Sequence, residues 1–269
     1  MKRLSTLLAM LVFTVMAASA QCSSRNTAFK SGETLMYDLY FNWKFVWVKA
    51  GTAYMNITQS TYNGKPAYRT YLITRGSQKA DRFFVMRDTL LSYCDLDLVP
   101  RYFRKGAYEG STYRRNEVWY SYSGGESHVK MRYQRNNNAP SIKNLHSHYC
   151  AFDMISMLLR ARSFDPKDFK VGTRMRFLMA DGNNCDWQAI VYRGKKKFKM
   201  ENSSTTYRCL VFSFMETEKG EEKEVVKFYI TDDKNHLPVR LDLNLNFGTA
   251  KAFLTGASGI RNPQTAKLK

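Results

Sequence analysis

The sequence has 269 residues, 44% of them hydrophobic, and its 42 Lys and Arg outnumber its 23 Asp and Glu to give a formal net charge of +19. A chain of this length can build one large core or two smaller ones and needs no disulfides for its stability. Its five cysteines are odd in number and match no compact disulfide framework, which excludes a cysteine-rich scaffold.

The first 20 residues have the three parts of a secretory signal peptide. Lys2 and Arg3 form the positive start, residues 7–17 form the apolar core, and Ala18-Ser19-Ala20 forms the cleavage site. We therefore expect the mature protein to be exported to the periplasm of a Gram-negative bacterium, with outer-membrane association left open.

Two forms of membrane attachment are disfavoured. Lipidation at Cys22 would require a small preceding residue, and Gln21 is not small. After the signal peptide, no run reaches the ~20 apolar residues of a spanning helix. We expect no transmembrane segment in the mature chain.

Residues 32–57 alternate with a period of two. The odd positions from 35 to 47 are large and apolar, whereas most even positions are polar. Such alternation predicts a strand with one packed face. After a break at Lys49-Ala50-Gly51 the alternation resumes, so we expect an antiparallel pair that forms one wall of a β domain. The apolar positions of the first run are Leu35, Tyr37, Leu39, Phe41, Trp43, Phe45 and Trp47.

Three predicted strands, at 101–108, 113–122 and 128–135, carry many basic residues. Their alternation predicts one apolar and one cationic face. Residues 136–147 contain three consecutive asparagines and Pro140, and we expect a loop there.

Residues 151–162 predict a helix with apolar side chains around nearly its whole circumference. A helix of this kind is buried, and we expect it to fill the open mouth or the concave side of a sheet. Its apolar positions are Phe152, Met154, Ile155, Met157, Leu158 and Leu159.

From residue 173 to residue 254, strand patterns alternate with regularly spaced turn signals. No linker divides the chain. We predict a mainly β fold with one antiparallel curved sheet, either a half-open barrel or a sandwich, and one buried helix near 151–162. We expect a single exported domain over residues 21–269, with an ordered core at about 29–256 and a frayed tail.

Several short motifs occur in the order found in a known family. The segment from Phe29 to Tyr37 resembles the opening F-x-x-G-E-x-L-x-Y of the exported bacterial family called domain of unknown function 3108. The similarity extends to about Leu254, and it implies export and β architecture but no catalytic residue. The further matching segments are Lys49 to Ala53, Asp95 to Pro100, Asp153 to Arg160, Ile230 to Asp233, Leu237 to Arg240, and Gly248.

The spacing of His146, His148 and Cys150 is the closest approach to a metal site. In an extended segment these positions share a face and could present two imidazoles and a thiol to zinc. A fourth ligand nearby is missing, and we interpret the segment as the polar entry to the helix, with no metal and no cofactor expected. The sequence leaves open how Cys22, Cys94, Cys150, Cys185 and Cys209 pair, and most are expected to be apolar core residues.

Motifs of catalysis are missing from the sequence. It has no G-x-S-x-G elbow, no triad context around its four histidines and no glycine-rich phosphate loop. We interpret Glu33 as a partner for a nearby donor at the start of a strand rather than as an acid catalyst. A non-enzymatic function is favoured, and an unrecognised hydrolase is the third hypothesis.

The densest basic run contains Arg193, Lys195, Lys196 and Lys197. It could form a cationic rim, or it could be a solvated strand face that prevents edge-to-edge pairing. The aromatic side chains of Trp43, Phe45 and Trp47 could line a lipid-accepting concavity, although ordinary core packing is the simpler interpretation.

The leading hypothesis is an exported envelope protein that binds an amphipathic or anionic component without catalysis. Its partner would be a lipid, lipopolysaccharide or cell-wall polymer, because a basic protein attracts anions. Nucleic acid is not expected at this location. The alternative is a structural or interaction module that meets another envelope protein.

Overall fold

A computed structural model describes residues 22–43, 46–82, 85–201, 204–218, 220–245 and 248–268. The expected signal peptide, residues 1–20, lies outside this range. None of the described helices is long and apolar enough to cross a membrane.

The alternating stretch at the start of the chain forms two long strands, β1 (Glu33–Trp43) and β2 (Val46–Tyr62), which pair antiparallel as predicted. Leu35 and Ile57 point into the core and are almost completely buried. The intervening polar residues lie on the other face, because successive side chains of a strand alternate.

The described strands form one sheet of 15 strands. Neighbouring strands are consecutive along the chain, except that β1 pairs with the last strand, β15, in the middle of the sheet. All pairs are antiparallel, as predicted, except that of β9 with β10, which is parallel. The remaining strands are β3 (Lys65–Gly76), β4 (Met86–Asp95), β5 (Pro100–Glu109), β6 (Thr112–Ser123), β7 (Glu126–Arg135), β8 (Ser141–Ser147), β9 (Ala151–Phe152), β10 (Arg174–Ala180), β11 (Cys185–Lys199), β12 (Thr206–Glu218), β13 (Glu221–Thr231), β14 (Pro238–Leu245) and β15 (Gly248–Ser258).

The two edges of the sheet, β8 and β9, are separated by only residues 148–150. The sheet therefore curves into a nearly closed barrel, which confirms the predicted mainly β, half-open architecture. The turn between β10 and β11 contacts the other half of the sheet. The Asn116 amide on β6 donates to the carbonyl oxygen of Asp181 at 2.9 Å, and Lys143 Nζ on β8 donates to the carbonyl oxygen of Asn183 at 2.8 Å. A disulfide between Cys22 and Cys150 ties the start of the described chain to the segment between β8 and β9.

The predicted buried helix is present as α2 (Met154–Ala161), which follows the short helix α1 (Gln78–Asp81). Asp153 caps its N-terminus by accepting from the backbone N–H groups of Ile155 and Ser156. Helix α2 is shorter than expected because residues 151–152 belong to β9, and Met154 is exposed. A 3-10 turn follows at Pro166–Asp168.

Helix α2 separates two groups of apolar side chains. Ile155 and Leu159 belong to the main core, which contains residues from both halves of the sheet, whereas Met157 packs with Phe152 and Phe177 in a smaller cluster. A third cluster surrounds Leu210 and Phe212 on β12. Apolar side chains from two faces of helix α2 are therefore packed, in agreement with its nearly all-apolar circumference.

Two segments differ from expectation. Residues 141–147 form β8 rather than a loop. Among the described strands, β8 pairs only with β7, and Ile142 is 54% exposed. Because this edge strand has no buried face, its sequence lacks the apolar alternation that indicates a strand. The tail is packed rather than frayed, since Ala266 is fully buried and its carbonyl oxygen accepts from the Arg208 backbone N–H at 2.9 Å.

Candidate functional site

Of the aromatic residues predicted to line a concavity, Trp43 is the last residue of β1 and Trp47 is the second residue of β2. Phe45 and the side chain of Trp43 fall outside the described part of the structure. Trp47 is half-buried, and the Lys251 ammonium lies 4.0 Å from the centre of its ring. Its neighbours Val46 and Val48 are exposed, so Trp47 sits at the surface beneath a lysine.

The predicted basic run does gather around a groove. Arg193, Lys195 and Lys196 line about 380 Å³ of space together with Lys227 and Glu224. Val211 and Tyr229 complete the lining, and Lys197 is exposed outside it.

Acidic partners offset part of this charge. Lys195 Nζ lies 3.0 Å from the Asp232 carboxylate, and Arg193 lies 3.8 Å from that of Glu224. The groove is therefore a mixed surface rather than a uniformly cationic one.

The considered metal motif loses its cysteine. Cys150 is bonded to Cys22 and has no thiolate to offer a metal. His146 faces His128 across β7 and β8, whereas His148 lies 3.4 Å from the Glu126 carboxylate.

A larger cleft, of about 520 Å³, opens where β9, α2, β10 and β11 meet beside the disulfide. Its walls are mainly apolar and aromatic, with two arginines. The lining residues are Tyr149, Cys150, Phe152, Met157, Arg160, Phe164, Met175, Arg176, Phe177 and Trp187.

The aromatic side chains of the cleft pack edge to face, which fixes their positions. The rings of Tyr149 and Trp187 have centroids 5.0 Å apart, and those of Phe152 and Phe177 lie 6.5 Å apart. Such contacts stabilise a defined apolar wall, because aromatic rings favour these geometries.

The two arginines lie over aromatic rings of the same cleft. The Arg160 guanidinium is 5.1 Å from the centre of Phe152, and Nη1 donates to the carbonyl oxygen of Cys22 at 2.7 Å. Arg176 is exposed, and its guanidinium lies 5.2 Å from the centre of Trp187. Among the described residues, neither arginine has a carboxylate within ion-pair distance.

Burial disfavours the charged form of Arg160. It lowers the pKa of this half-buried guanidinium, because removing a cation from water disfavours its charged form. An anion that entered the cleft would oppose this shift. The cleft can therefore hold an apolar chain or ring and pair with an anionic group.

Sequence reasoning missed this cleft because its walls come from separate segments. Phe152 lies on β9 and Arg160 in the last turn of α2, whereas Arg176 and Trp187 lie on the consecutive strands β10 and β11. The signal that could have indicated it is the alternation of Arg174, Arg176 and apolar residues along β10, which places basic and apolar side chains on one strand.

Comparisons with known proteins support the fold and the family. A comparison with curated proteins finds no match. A solved structure from Brucella abortus, described as a beta-barrel-like protein of domain of unknown function DUF1849, is similar with a TM-score of 0.56 at 10% identity, covering 87% of this chain and 100% of that chain. A Bacteroides fragilis protein, described as a candidate exported protein with a YmcC-like fold, has a TM-score of 0.37 at 8% identity over 87% of this chain and 99% of that chain.

The likeness to the Brucella protein shows the shared fold, and the order of motifs from Phe29 onward indicates a more specific relationship. The model of the family "Protein of unknown function (DUF3108)" matches residues 36–255, and the chain belongs to this family.

Proposed function

We propose that this protein binds an anionic amphipathic molecule, without catalysis, in the cleft between α2 and the β9 to β11 edge of the sheet. The observation that carries the proposal is the pair of guanidinium groups, Arg160 and Arg176, placed over aromatic rings and without carboxylate partners in the described chain. We refer to this site as the arginine cleft.

Size and lining suit a small ligand. Pockets for small molecules usually occupy about 300–1,000 Å³ and are mainly apolar with a few polar groups that fix orientation. The arginine cleft, at about 520 Å³, falls within that range. Each buried methylene of a ligand chain would contribute about 0.8 kcal/mol.

The two guanidinium groups of the cleft favour an anionic ligand. Guanidinium groups bind carboxylate and phosphate through paired N–H donors and also stack on aromatic faces. Neither arginine has a carboxylate of the described residues within ion-pair distance, so a carboxylate or phosphate head group of a ligand could pair with both.

The location proposed for this activity is the bacterial envelope. The signal-like residues 1–20 and the formal charge of +19 support an exported protein that meets anionic lipid, lipopolysaccharide or cell-wall polymer. The Gram-negative periplasm is the compartment that we propose.

A second candidate is a protein-interaction module, favoured by the exposed edge strand β8. Among the strands that the structure describes, β8 pairs only with β7, and residues 141–144 are all exposed. An extended segment of a partner could add to such an edge through main-chain hydrogen bonds.

Calorimetry with dodecanoate and with neutral dodecyl maltoside, both below their micelle concentrations, tests the proposal. We expect dodecanoate to bind more tightly by about 10-fold or more, since hydrogen bonds to charged groups contribute about 1.5–3 kcal/mol. Arg176→Gln should remove most of this preference. Arg174→Gln is the matched control, because Arg174 lies on the same strand but pairs with Glu222.

Equal affinity for the two amphiphiles, or equal effects of the two substitutions, would count against the arginine cleft. Failure of both amphiphiles to bind would favour the interaction module.

A further inference from the structure

Three of the four histidines in the sequence lie in one corner of the sheet, at the end of the hairpin between β6 and β7. His128 comes from β7, His146 from the edge strand β8, and His148 follows β8. Glu126 begins β7 beside them. None of these four residues lines the arginine cleft, although Tyr149, the neighbour of His148, does.

The closest contact in the corner joins two imidazoles. His128 and His146 are direct cross-strand partners, and their Nδ1 atoms lie 2.9 Å apart. Two nitrogens bound to one zinc ion at about 2.0–2.1 Å and at near-tetrahedral angles are roughly 3.3 Å apart. The pair therefore needs to open by only a few tenths of an ångström to hold an ion.

The other ring nitrogen of His128 is already fixed. Its Nε2 lies 2.8 Å from Ser123 Oγ and 3.3 Å from the Ser123 carbonyl oxygen. A carbonyl accepts but cannot donate, so this contact favours a proton on Nε2 and leaves the Nδ1 lone pair facing His146. Metal-binding histidines are typically oriented in this way, by donating the second N–H to a carbonyl or carboxylate.

A carboxylate supplies the third group. One ligand atom from each of Glu126, His128 and His146 lies within 4.8 Å of the others. His148 Nε2 is 3.4 Å from Glu126 Oε1, so a further imidazole is adjacent. Two imidazoles and one carboxylate form a known donor set for zinc that keeps an open position.

We propose that Glu126, His128 and His146 bind a divalent transition metal ion, with Zn²⁺ as the best match to these donors. His148, with Nε2 3.4 Å from the Glu126 carboxylate, is near enough to serve as a fourth ligand. This inference does not depend on the proposed ligand of the arginine cleft.

Titration of the full metal-free protein with Zn²⁺ alone tests the site. We expect one ion per chain and a rise in melting temperature on binding. His128→Ala and His146→Ala should each weaken zinc affinity at least about 10-fold, the effect that loss of an outer-shell partner already has. Glu126→Gln should weaken it in the same direction.

Two control variants distinguish zinc binding at this site from zinc binding by other side chains of the protein. Asn144 is exposed on β8, two residues before His146, and Asn144→Ala should leave zinc affinity unchanged. Cys185 is a free, half-buried cysteine, and Cys185→Ser should also retain full binding. Melting curves of the metal-free variants check that each is folded.

The proposal would be overturned if the wild-type protein binds no Zn²⁺ at micromolar concentrations. It would also be overturned if a folded His128→Ala, His146→Ala double variant kept wild-type affinity.

Discussion

The carboxylate of Glu33 and the guanidinium of Arg162 form a bidentate ion pair, at 2.6 and 3.0 Å, with both side chains at most 1% exposed. The residues are 129 positions apart. Arg162 also donates to the carbonyl oxygen of Asn235 and lies over the Phe29 ring. The pair thus joins the first strand to the end of helix α2.

Breaking this pair should strongly destabilise the protein. Arg162→Met would leave the Glu33 carboxylate buried without a partner, which costs about 3–5 kcal/mol. Glu33→Leu would leave the buried Arg162 guanidinium without its carboxylate partner, at a similar cost in free energy. Urea unfolding measures both effects.

The double variant Glu33→Leu, Arg162→Met is the decisive comparison. We expect it to lose far less than the sum of the single variants, because replacing both charges by apolar groups can be nearly neutral. Additive losses, or single losses below about 1 kcal/mol, would contradict a coupled buried pair.

The disulfide between Cys22 and Cys150 closes a separation of 128 residues. Reduction should lower the free energy of unfolding by about 2–4 kcal/mol, since a cross-link restricts the unfolded chain. Ligand affinity should fall as well, because Cys150 and Tyr149 line the arginine cleft. Urea unfolding with and without a phosphine reductant measures the first effect.

Variants identify the cysteines responsible. A Cys22→Ser, Cys150→Ser protein should no longer respond to the reductant, whereas Cys185→Ser should respond like the wild type. Insensitivity of the wild-type protein to reduction would be incompatible with this bond.

His236 should make stability fall as the pH is lowered. Burial lowers the pKa of this imidazole, whose Nδ1 atom lies 2.5 Å from the Arg162 carbonyl oxygen. In the unfolded chain, the His236 imidazole has an ordinary pKa of about 6.5 and takes up a proton below that pH. In the folded protein, burial disfavours this protonation. Its contribution to stability is therefore complete above about pH 6.5 and decreases below it.

Comparison with His236→Asn isolates this effect. Asn tolerates the positive φ of 45° at this position. Asp153, whose pKa burial raises to about 6, acts in the opposite direction in both proteins. We expect the stability advantage of the wild type over the variant to shrink from about pH 7.5 to about pH 5.5; a constant difference would exclude a role for His236.

Lys196 should contribute more than Lys195 to attraction towards anionic membranes. Lys195 is paired with Asp232, whereas Lys196 is exposed and has no ion pair among the described residues. Near an anionic surface a lysine contributes about 1 kcal/mol. Cosedimentation with phosphatidylglycerol vesicles should show a larger loss for Lys196→Ala than for Lys195→Ala, and salt should weaken all binding. Binding that does not change with salt would indicate that this basic face is merely solvated.

Local patterns predicted the fold because each element has its own periodicity. The alternation that puts Leu35 and Ile57 on one face specified the first strand pair, and the nearly all-apolar run around Ile155 and Leu159 specified the buried helix. Strand β8 was missed because a strand paired on one side, with Ile142 exposed, carries no such pattern.

The sites could not be predicted in the same way. Arg176 and Trp187 meet Arg160 only because β9, which leads into α2, pairs with β10, and β10 pairs with β11. Likewise, the pairing of His128 with His146 depends on the register of β8 against β7, which the sequence does not reveal. Glu33 was expected to find a nearby donor, and that donor, Arg162, is near only in space.

The most direct test of the arginine cleft is mass spectrometry of small molecules extracted from the protein after detergent-free purification from the cells that produce it. The account predicts an anionic amphiphile at about one molecule per chain, strongly depleted in an Arg176→Gln, Trp187→Ala variant that remains folded. Recovery of no anionic amphiphile, or of equal amounts from the two proteins, would contradict it.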